Sequence, residues 1–531
     1  VARGQFPAGI PILSASPSSE STRRHAALIA AGILLSRIIG LVRTRIFAHY
    51  FGLKSDPADA FNAAFRIPNF LQNLFGEGVL SASFIPVYAN LLAKGDDEES
   101  GRVAGAVGAI LSLATGVLVL AGVLATPLLI DAIAPGFHGA KRELTIRLVR
   151  ILFPGAGLLV LSAWCLGILN SHRRFFLSYT APVLWNVAMI GTLLGFGGRI
   201  DQARLAIALA WGSVAGSALQ FGVQVPVVLG LARRLRIRLE TRSPEVREVL
   251  RNFGPVFVSR GVVQISAYID ALLASLLATG AVTGLTNAQL LYTLPVSLFG
   301  MSVSAAELPA MSSALGSQAE IAAHLRRRLE SGARHIAFLI VPSAVAFLAL
   351  GDVVSAALLQ TGRFTHADAV YVWGILAAAS IGLLAQTLGR LYSSTFYALR
   401  DTRTPLRFAI VRVILTTGLG YLCALPLGWG VPGLTGSAGV AGWIEFALLR
   451  RALHSRIGKA GVPAALLAKL WGAAVAAAGA AWGMKALIGS QTPIVEAAAI
   501  LPAFGGVYFA LTWALGVEEC ADLVRRVLRI R

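Results

Sequence analysis

The chain is 531 residues long, 56% hydrophobic and only 14% charged, with a formal net charge of +20. A soluble protein carries about 25% charged residues, so this composition excludes a soluble globular protein and indicates a polytopic membrane protein. The basic residues sit in loops between apolar runs, which makes membrane orientation, not nucleic-acid binding, the simplest cause of the excess charge.

The first 22 residues are rich in Ser, Pro and Gly and show no apolar stretch followed by a cleavage site, so they read as a disordered leader. A crossing needs about 20 apolar residues. Fourteen runs qualify, at roughly 26–50, 58–92, 103–133, 143–171, 178–198, 203–231, 249–279, 284–315, 330–360, 367–399, 406–427, 431–453, 463–487 and 493–516. The second is too long for one straight helix, and Pro68 and the Gly76–Glu77–Gly78 step predict a bend or break in it. Arginines crowd alternate loops: Arg173 and Arg174, Arg233 to Arg251, Arg326 to Arg328, Arg400 to Arg407, and Arg450 to Arg456. The intervening loops hold few. This asymmetry predicts both termini on the cytoplasmic side and an even number of spans.

An internal repeat divides the chain. Ser36–Arg37 is matched by Ser259–Arg260, Leu74-Phe75-Gly76 by Leu298-Phe299-Gly300, and Pro86 by Pro309. The copies are six spans apart and therefore parallel, which predicts two pseudo-symmetric lobes facing each other across a central cavity. The expected fold is all-α. A leader (1–22) precedes an N-lobe of spans one to six (23–232), a basic cytoplasmic linker (233–252) and a C-lobe of spans seven to twelve (253–458). Spans thirteen and fourteen with a basic tail (459–531) form an appended pair on one lobe.

The stretch from Ser36 to Asn90 is apolar at helical spacing yet carries Arg37, Arg43, Arg45, Asp59, Arg66 and Glu77. A charge at the bilayer centre costs at least ~2.5–3.5 kcal/mol, so these groups should face water or one another. Ser36, Gly40 and Arg43 fall on one helix face, with Arg37 on its shoulder. Guanidinium groups there suit phosphate oxygens, since Arg offers a planar donor fork and stays charged. Asp59 beside Pro57 reads as a helix cap or as a gate partner for an Arg near the outer side. Glu77, between Gly76 and Gly78, reads as an ion-pair partner or part of a gate. Gln72 lies on the same span. Arg260 and Gln264 share a face in the second lobe. Catalytic residues are not expected: HExxH, Walker A and nucleophile-elbow motifs are missing. Cys165, Cys423 and Cys520 are scattered, and no metal cluster is indicated.

The segments SRIIGLVRTRIFAHYFG and ADAFNAAFRIPNFLQNLFGEGVLSASFIPVYA resemble the opening of the MurJ (MviN) family of lipid II flippases, within the multidrug/oligosaccharidyl-lipid/polysaccharide exporter superfamily. Supporting matches are APGF at 134–137, GILNSHRRF at 167–175, LPVSLFGMSVSAAELPAMS at 295–313 and FYALRDTRTP at 396–405. The resemblance implies transport of undecaprenyl-pyrophosphate-linked peptidoglycan precursor across the bacterial inner membrane by alternating access. The pyrophosphate would sit in a cationic cavity, with no organic cofactor and with coupling to a cation or the membrane potential. Carried over by motif, it implies cavity residues at Ser36, Arg37, Arg43 and Asp59, with Glu77 in the matching FGEG. The reading of the residues themselves adds Arg66, Gln72, Arg260 and Gln264 as substrate contacts and places Gly76 and Gly78 with Asp59 and Glu77 as gate or ion-pair positions. The chain departs from the family pattern where many members have arginine: it has Gln72, and Gln289–Leu290 before the Pro295 turn. Arg66 and Arg260 are the expected replacements. A flippase for another polyprenyl-linked glycan, or a drug exporter of the same superfamily, is the alternative.

Overall fold

The computed structural model describes residues 19–75, 77–232, 234–312, 317–489 and 491–528. They are arranged as helices. In hydrocarbon every backbone N–H and C=O must be satisfied internally, and a helix does this within one segment. The first lobe comprises α1 (Ser19–Phe51), α2 (Asp56–Phe75), α3 (Glu77–Ala93), α4 (Asp97–Ile133), α5 (Gly139–Ser171), α6 (Phe175–Phe196) and α7 (Gln202–Leu231). Its central post is α5, which packs on α2, α3, α4 and α7, while α1 lies against α6.

The second lobe comprises α8 (Pro244–Ser275), α9 (Ala281–Pro295), a π-helical turn (Val296–Met301), α10 (Ser302–Ser312), α11 (Gln318–Leu359), α12 (His366–Ser380), α13 (Leu383–Ala398), α14 (Arg403–Ala424) and α15 (Gly430–Ile457). Two further helices, α16 (Ala464–Ile488) and α17 (Pro493–Ala514), pair with each other and pack on α11. The Tyr508 hydroxyl on α17 donates to the Phe338 carbonyl on α11 at 2.7 Å. A short α18 (Glu518–Leu528) follows, tied to α11 through Arg334 and Glu518 at 2.8 Å.

Among the described residues, nine helical segments are long and apolar enough to cross a bilayer, or ten when the bent pair α12 and α13 counts as one span. The fourteen runs read from the sequence exceed this. The helices that fall short include α2, α8 and α15, which carry Arg66, Asp270 and Glu445; charge and short polar side chains lower their apolarity. Helix α1 is outside that comparison, and its run from Ala26 to Arg43 is apolar with Arg37 and Arg43 as its charges.

In the second lobe the repeated Leu298-Phe299-Gly300 falls in the π-helical turn. Pro68 leaves α2 unbroken, and Gly76 itself lies outside the described residues. At Gly300 a Cβ would stand 2.7 Å from a Thr387 methyl group, so only glycine lets this turn press on α13. The linker between the lobes is shorter than its basic window, because α8 begins at Pro244. Its backbone at Arg234 and Arg236 lies in a groove over Gly101 and Gly105 of α4, where a Cβ would meet the two carbonyl oxygens.

The helices alternate in direction, so the bundle has two ends. One end gathers the turns at 52–55, 134–138, 276–280 and 360–365, and is called here the Asp59 end. The other, the arginine end, gathers the turns at 172–174, 400–402 and 458–463. At the Asp59 end the apolar core of the second lobe takes in Ala48, Leu53, Ala63, Ala134 and Phe137 of the first. The lobes are continuous there.

Candidate functional site

Asp59 is the centre of the closed end. It is only 1% exposed. Its carboxylate accepts the backbone N–H of Gly280 at 2.8 Å, the N–H of Thr283 at 2.9 Å and the Thr283 hydroxyl at 2.7 Å. Gly280 is the N-cap of α9, at φ +97°, and has no side chain with which to cap it. The first N–H groups of a helix lack intrahelical partners and attract negative charge. Asp59 therefore supplies from the opposite lobe what a capping box normally supplies locally. Lys141 of α5 completes the shell, donating to Asp59 at 2.9 Å and standing 3.1 Å from Asp56. Its ammonium lies 4.4 Å from the centre of the Phe137 ring. Sequence reading gave Asp59 an arginine partner or a cap on its own helix. The observed partners are a lysine and another helix, while Ser55 accepts the Ala58 N–H at the start of α2.

The contact continues along one face of α2. Asn62 donates to Thr283 at 3.1 Å, and Arg66 donates to Thr286 at 3.1 Å and Gln289 at 3.2 Å. The Tyr268 hydroxyl of α8 donates to the Arg66 carbonyl. Asp59, Asn62 and Arg66 are spaced i, i+3, i+7, so one stripe of α2 meets α9 turn by turn. A second seam joins α1 to α11. Arg45 donates to the Ala357 carbonyl, His49 lies 2.9 Å from the Thr361 hydroxyl, and the Arg363 N–H donates to the His49 carbonyl at 2.9 Å. Gly362, at φ +52°, allows this approach: a Cβ there would fall 2.5 Å from the His49 oxygen.

The cations expected to share a site on α1 separate. Six positions at 100° each place Arg37 and Arg43 about 120° apart around the axis. The Arg43 face, which includes Ser36, turns toward α6. The Arg43 guanidinium lies 5.1 Å from the centre of the Trp185 ring and 5.7 Å from that of Phe65, two rings that stack on each other. Cation–π attraction holds it against the first lobe. Arg37 lies three turns before Ala48, on the face that enters the second lobe's core at the Asp59 end. Toward the arginine end that face is uncovered: Arg37 is exposed, and a Cβ at Gly40 would meet nothing within 4 Å. No ion pair to Arg37 occurs among the described residues. The side chains of Gln72, Glu77, Arg260 and Gln264 lie outside the described residues, as does Gly76; Gly78 belongs to α3.

The second lobe holds a further polar cluster, of which sequence reasoning found Asp270 and missed Arg412 and Glu445. Arg412 of α14 pairs with Glu445 of α15 at 3.2 Å. Asp270 of α8 lies within electrostatic reach of both Arg412 and Arg66. The Tyr292 hydroxyl is buried without a partner among the described residues. The signal was available: Arg412 and Glu445 are lone charges in apolar runs.

A sequence profile described as "Lipid II flippase MurJ" matches residues 47–501. The lipid II flippase MurJ of Burkholderia cenocepacia is 32% identical over 503 residues, covering 91% of this chain and 96% of that protein. A probable lipid II flippase MurJ of Rhizobium meliloti is 30% identical over 520 residues, covering 95% and 96%. Among solved structures, a lipid II flippase MurJ in an inward closed conformation superposes with a TM-score of 0.77 at 23% identity, over 94% of this chain and all of that one. An inward-facing multidrug resistance MATE transporter superposes at 0.65 and 19% identity, over 81% and 98%. At these identities the two superpositions speak to the fold.

Proposed function

The chain belongs to the lipid II flippase MurJ family, and on that premise we propose that it carries lipid II from the inner to the outer leaflet of the bacterial cytoplasmic membrane. It is a multi-pass membrane transporter and not an enzyme. We assign the arginine end to the cytoplasm, as the loop charges favour, with both termini there. Helices α1, α2/α3, α8 and α15 then complete fourteen spans.

The observation that carries the reading is the one-sidedness of the polar ties that α1 and α2 make to the second lobe; toward the other end the lobes meet through α8, whose Val246, Val249, Phe253 and Phe257 pack on the first lobe. The polar ties from Asp59, Arg66, Arg45 and His49 all cross between the lobes toward one end. Toward the other end Arg37 of α1 is exposed and has no ion pair among the described residues. In the assigned orientation the outer side is shut, and a guanidinium faces the cytoplasmic approach. Arg37 contacts the pyrophosphate, and Arg260 completes the site from the second lobe. Arg43, held on its aromatic shelf, adds positive potential. Headgroup binding draws the lobes together at the cytoplasmic end. Parting at the outer end then requires Asp59 to leave α9 and Arg66 to release Thr286 and Gln289, and both groups exchange those bonds for water. Gly76, Gly78 and the π-helical turn absorb the bending. No covalent intermediate or organic cofactor takes part, and a cation gradient or the membrane potential supplies the drive.

The test is growth of a strain depleted of its own flippase. Arg37→Ala at wild-type protein level should fail to support growth, and full support would remove Arg37 from the site. Leaflet-resolved transport of labelled lipid II beside a different polyprenyl-linked glycan decides the substrate. Equal or faster movement of the other glycan would reject lipid II as the specific cargo.

A further inference from the structure

At the arginine end, α15, α11 and the 458–463 loop leading to α16 enclose an open pocket of about 840 Å³. Its walls include Trp443, Phe446, Arg450, Arg451, Lys459 and Val462. Ligand-sized pockets run about 300–1,000 Å³. One carboxylate, Glu330, borders it. Among the described residues no carboxylate lies within ion-pair distance of Arg450, Arg451 or Lys459, whereas the nearby Arg456 is paired with Asp401 at 2.7 Å. Three cations therefore share one opening with a single carboxylate at its border, leaving an excess of positive charge there.

The pocket is preformed. The loop is fixed by Ala460, whose carbonyl lies 2.6 Å from the His454 ring and accepts the Tyr392 hydroxyl at 3.3 Å. Tyr392 packs edge-on against Phe446, with 5.1 Å between ring centres. Gly458, at φ +84°, makes the turn that starts the loop. Gly461 leaves room beside Arg450: a Cβ there would lie 3.8 Å from its guanidinium.

The gradient along α15 gives the chemistry of the occupant. Val440, Trp443, Ala447, Arg451 and His454 recur at three- and four-residue steps on one face. Val440 is 46% exposed and Trp443 38%, the Trp443 indole N–H donating to the Ile381 carbonyl at 2.8 Å. From Val440 to Arg451 is eleven residues, a rise of about 16 Å. Along that rise the exposed face changes from aliphatic, to tryptophan, to arginine. This is the order hydrocarbon, interface and phosphate layer in which a lipid presents itself. A soluble anion would require the basic end alone.

We propose that this pocket binds the phosphate-bearing headgroup of an acidic phospholipid from the leaflet at the arginine end, with its acyl chains lying along Val440 and Trp443. The site is outside the interlobe space and does not depend on what the protein transports. Basic pockets between spanning helices hold anionic headgroups in this way.

The test is native mass spectrometry of the full-length protein released from mixed micelles containing phosphatidylglycerol or phosphatidylcholine, with inorganic phosphate as a separate arm. The wild type should retain phosphatidylglycerol about tenfold more than phosphatidylcholine, by the attraction expected of one to two basic side chains. Arg450→Gln, Arg451→Gln and Lys459→Gln together should abolish that preference. Ala447→Trp, which fills the pocket and keeps every charge, should reduce phosphatidylglycerol retention as well. Arg236→Gln, Arg238→Gln and Arg242→Gln together, an equal charge change on the interlobe linker, should leave it intact. An equal loss in the linker variant would reduce the effect to overall charge and overturn the site. Retention unaltered by Ala447→Trp, or displacement of the lipid by millimolar inorganic phosphate, would also overturn it.

Discussion

The carboxylate of Asp59 accepts the backbone N–H of Gly280 at 2.8 Å, so a side chain of the first lobe caps the first turn of a helix in the second. The two residues are 221 positions apart, and the start of α9 is incomplete without the other lobe. The contact is polar, buried and reversible, because water can replace each partner once the lobes part. Hydrogen bonds to a charged group contribute about 1.5–3 kcal/mol each.

Asp59→Asn keeps the shape but removes the charge that Lys141 and the α9 N-terminus attract. We expect a shift of about 10–100-fold toward the form open at this end, equivalent to losing one such bond. The shift is read as labelling of an Asn62→Cys probe by a membrane-impermeant thiol reagent. The background needs Cys423→Ser, because Cys165 and Cys520 are buried and Cys423 is partly exposed. Lys141→Met should act in the same direction. Unaltered labelling in both variants would exclude Asp59 from the closure.

Arg37 and Arg43 should separate in stability measurements. Arg43→Ala removes a guanidinium held over Trp185 and should lower stability by about 0.5–2 kcal/mol. A double-mutant cycle with Trp185→Ala should recover most of that as coupling. Arg37 is exposed and has no ion pair among the described residues, so Arg37→Ala should unfold within about 0.5 kcal/mol of wild type while transport is abolished. A marked stability loss at Arg37 would mean that it has a packing role.

The crossing of α12/α13 over α15 depends on glycine. At Gly382 a Cβ would lie 2.5 Å from the Gly439 Cα, backbone against backbone. Gly382→Ala should cost about 1–3 kcal/mol through overpacking. Gly418→Ala, with nothing within 4 Å, should be neutral. Thermal unfolding in detergent distinguishes the two.

Asp401 should make one turn acid-sensitive. It accepts the Thr404 hydroxyl at 2.7 Å and the N–H groups of Arg403 and Thr404 at 3.0 Å, and it faces Arg456. The hydrogen bonds from Thr404, with the Arg456 charge, hold its carboxyl down at about 2. The unfolded value is about 3.9. A depressed carboxylate stabilises the fold above its unfolded pKa, and that contribution fades as pH falls toward the folded one. Wild type should therefore lose stability relative to Asp401→Asn between about pH 4 and pH 2. Parallel pH curves for the two proteins would contradict this.

Several features were legible in the residues alone. Composition gave the membrane class, and the repeat located the irregular turn at Leu298-Phe299-Gly300 in the second lobe. Lone charges marked α1 and α2. Lone charges also marked Arg412 and Glu445, which could have been read by the same rule and were not. Lys141 gave no such signal, because a single lysine near a helix start is common on any membrane surface.

The sequence by itself determined that the chain crosses a membrane many times, that its halves are related, and that charge is concentrated on particular helices. These are local properties: apolar length, loop charge and periodicity are set by neighbours along the chain. Only the tertiary structure decided that Asp59 belongs to α9, that Arg43 rests on Trp185 while Arg37 is exposed, and that the polar ties of α1 and α2 to the second lobe gather at one end. Those outcomes depend on which helix faces meet. That follows from the packing of segments some 140 to 310 positions apart, where small residues such as Gly280 and Gly362 let backbones approach.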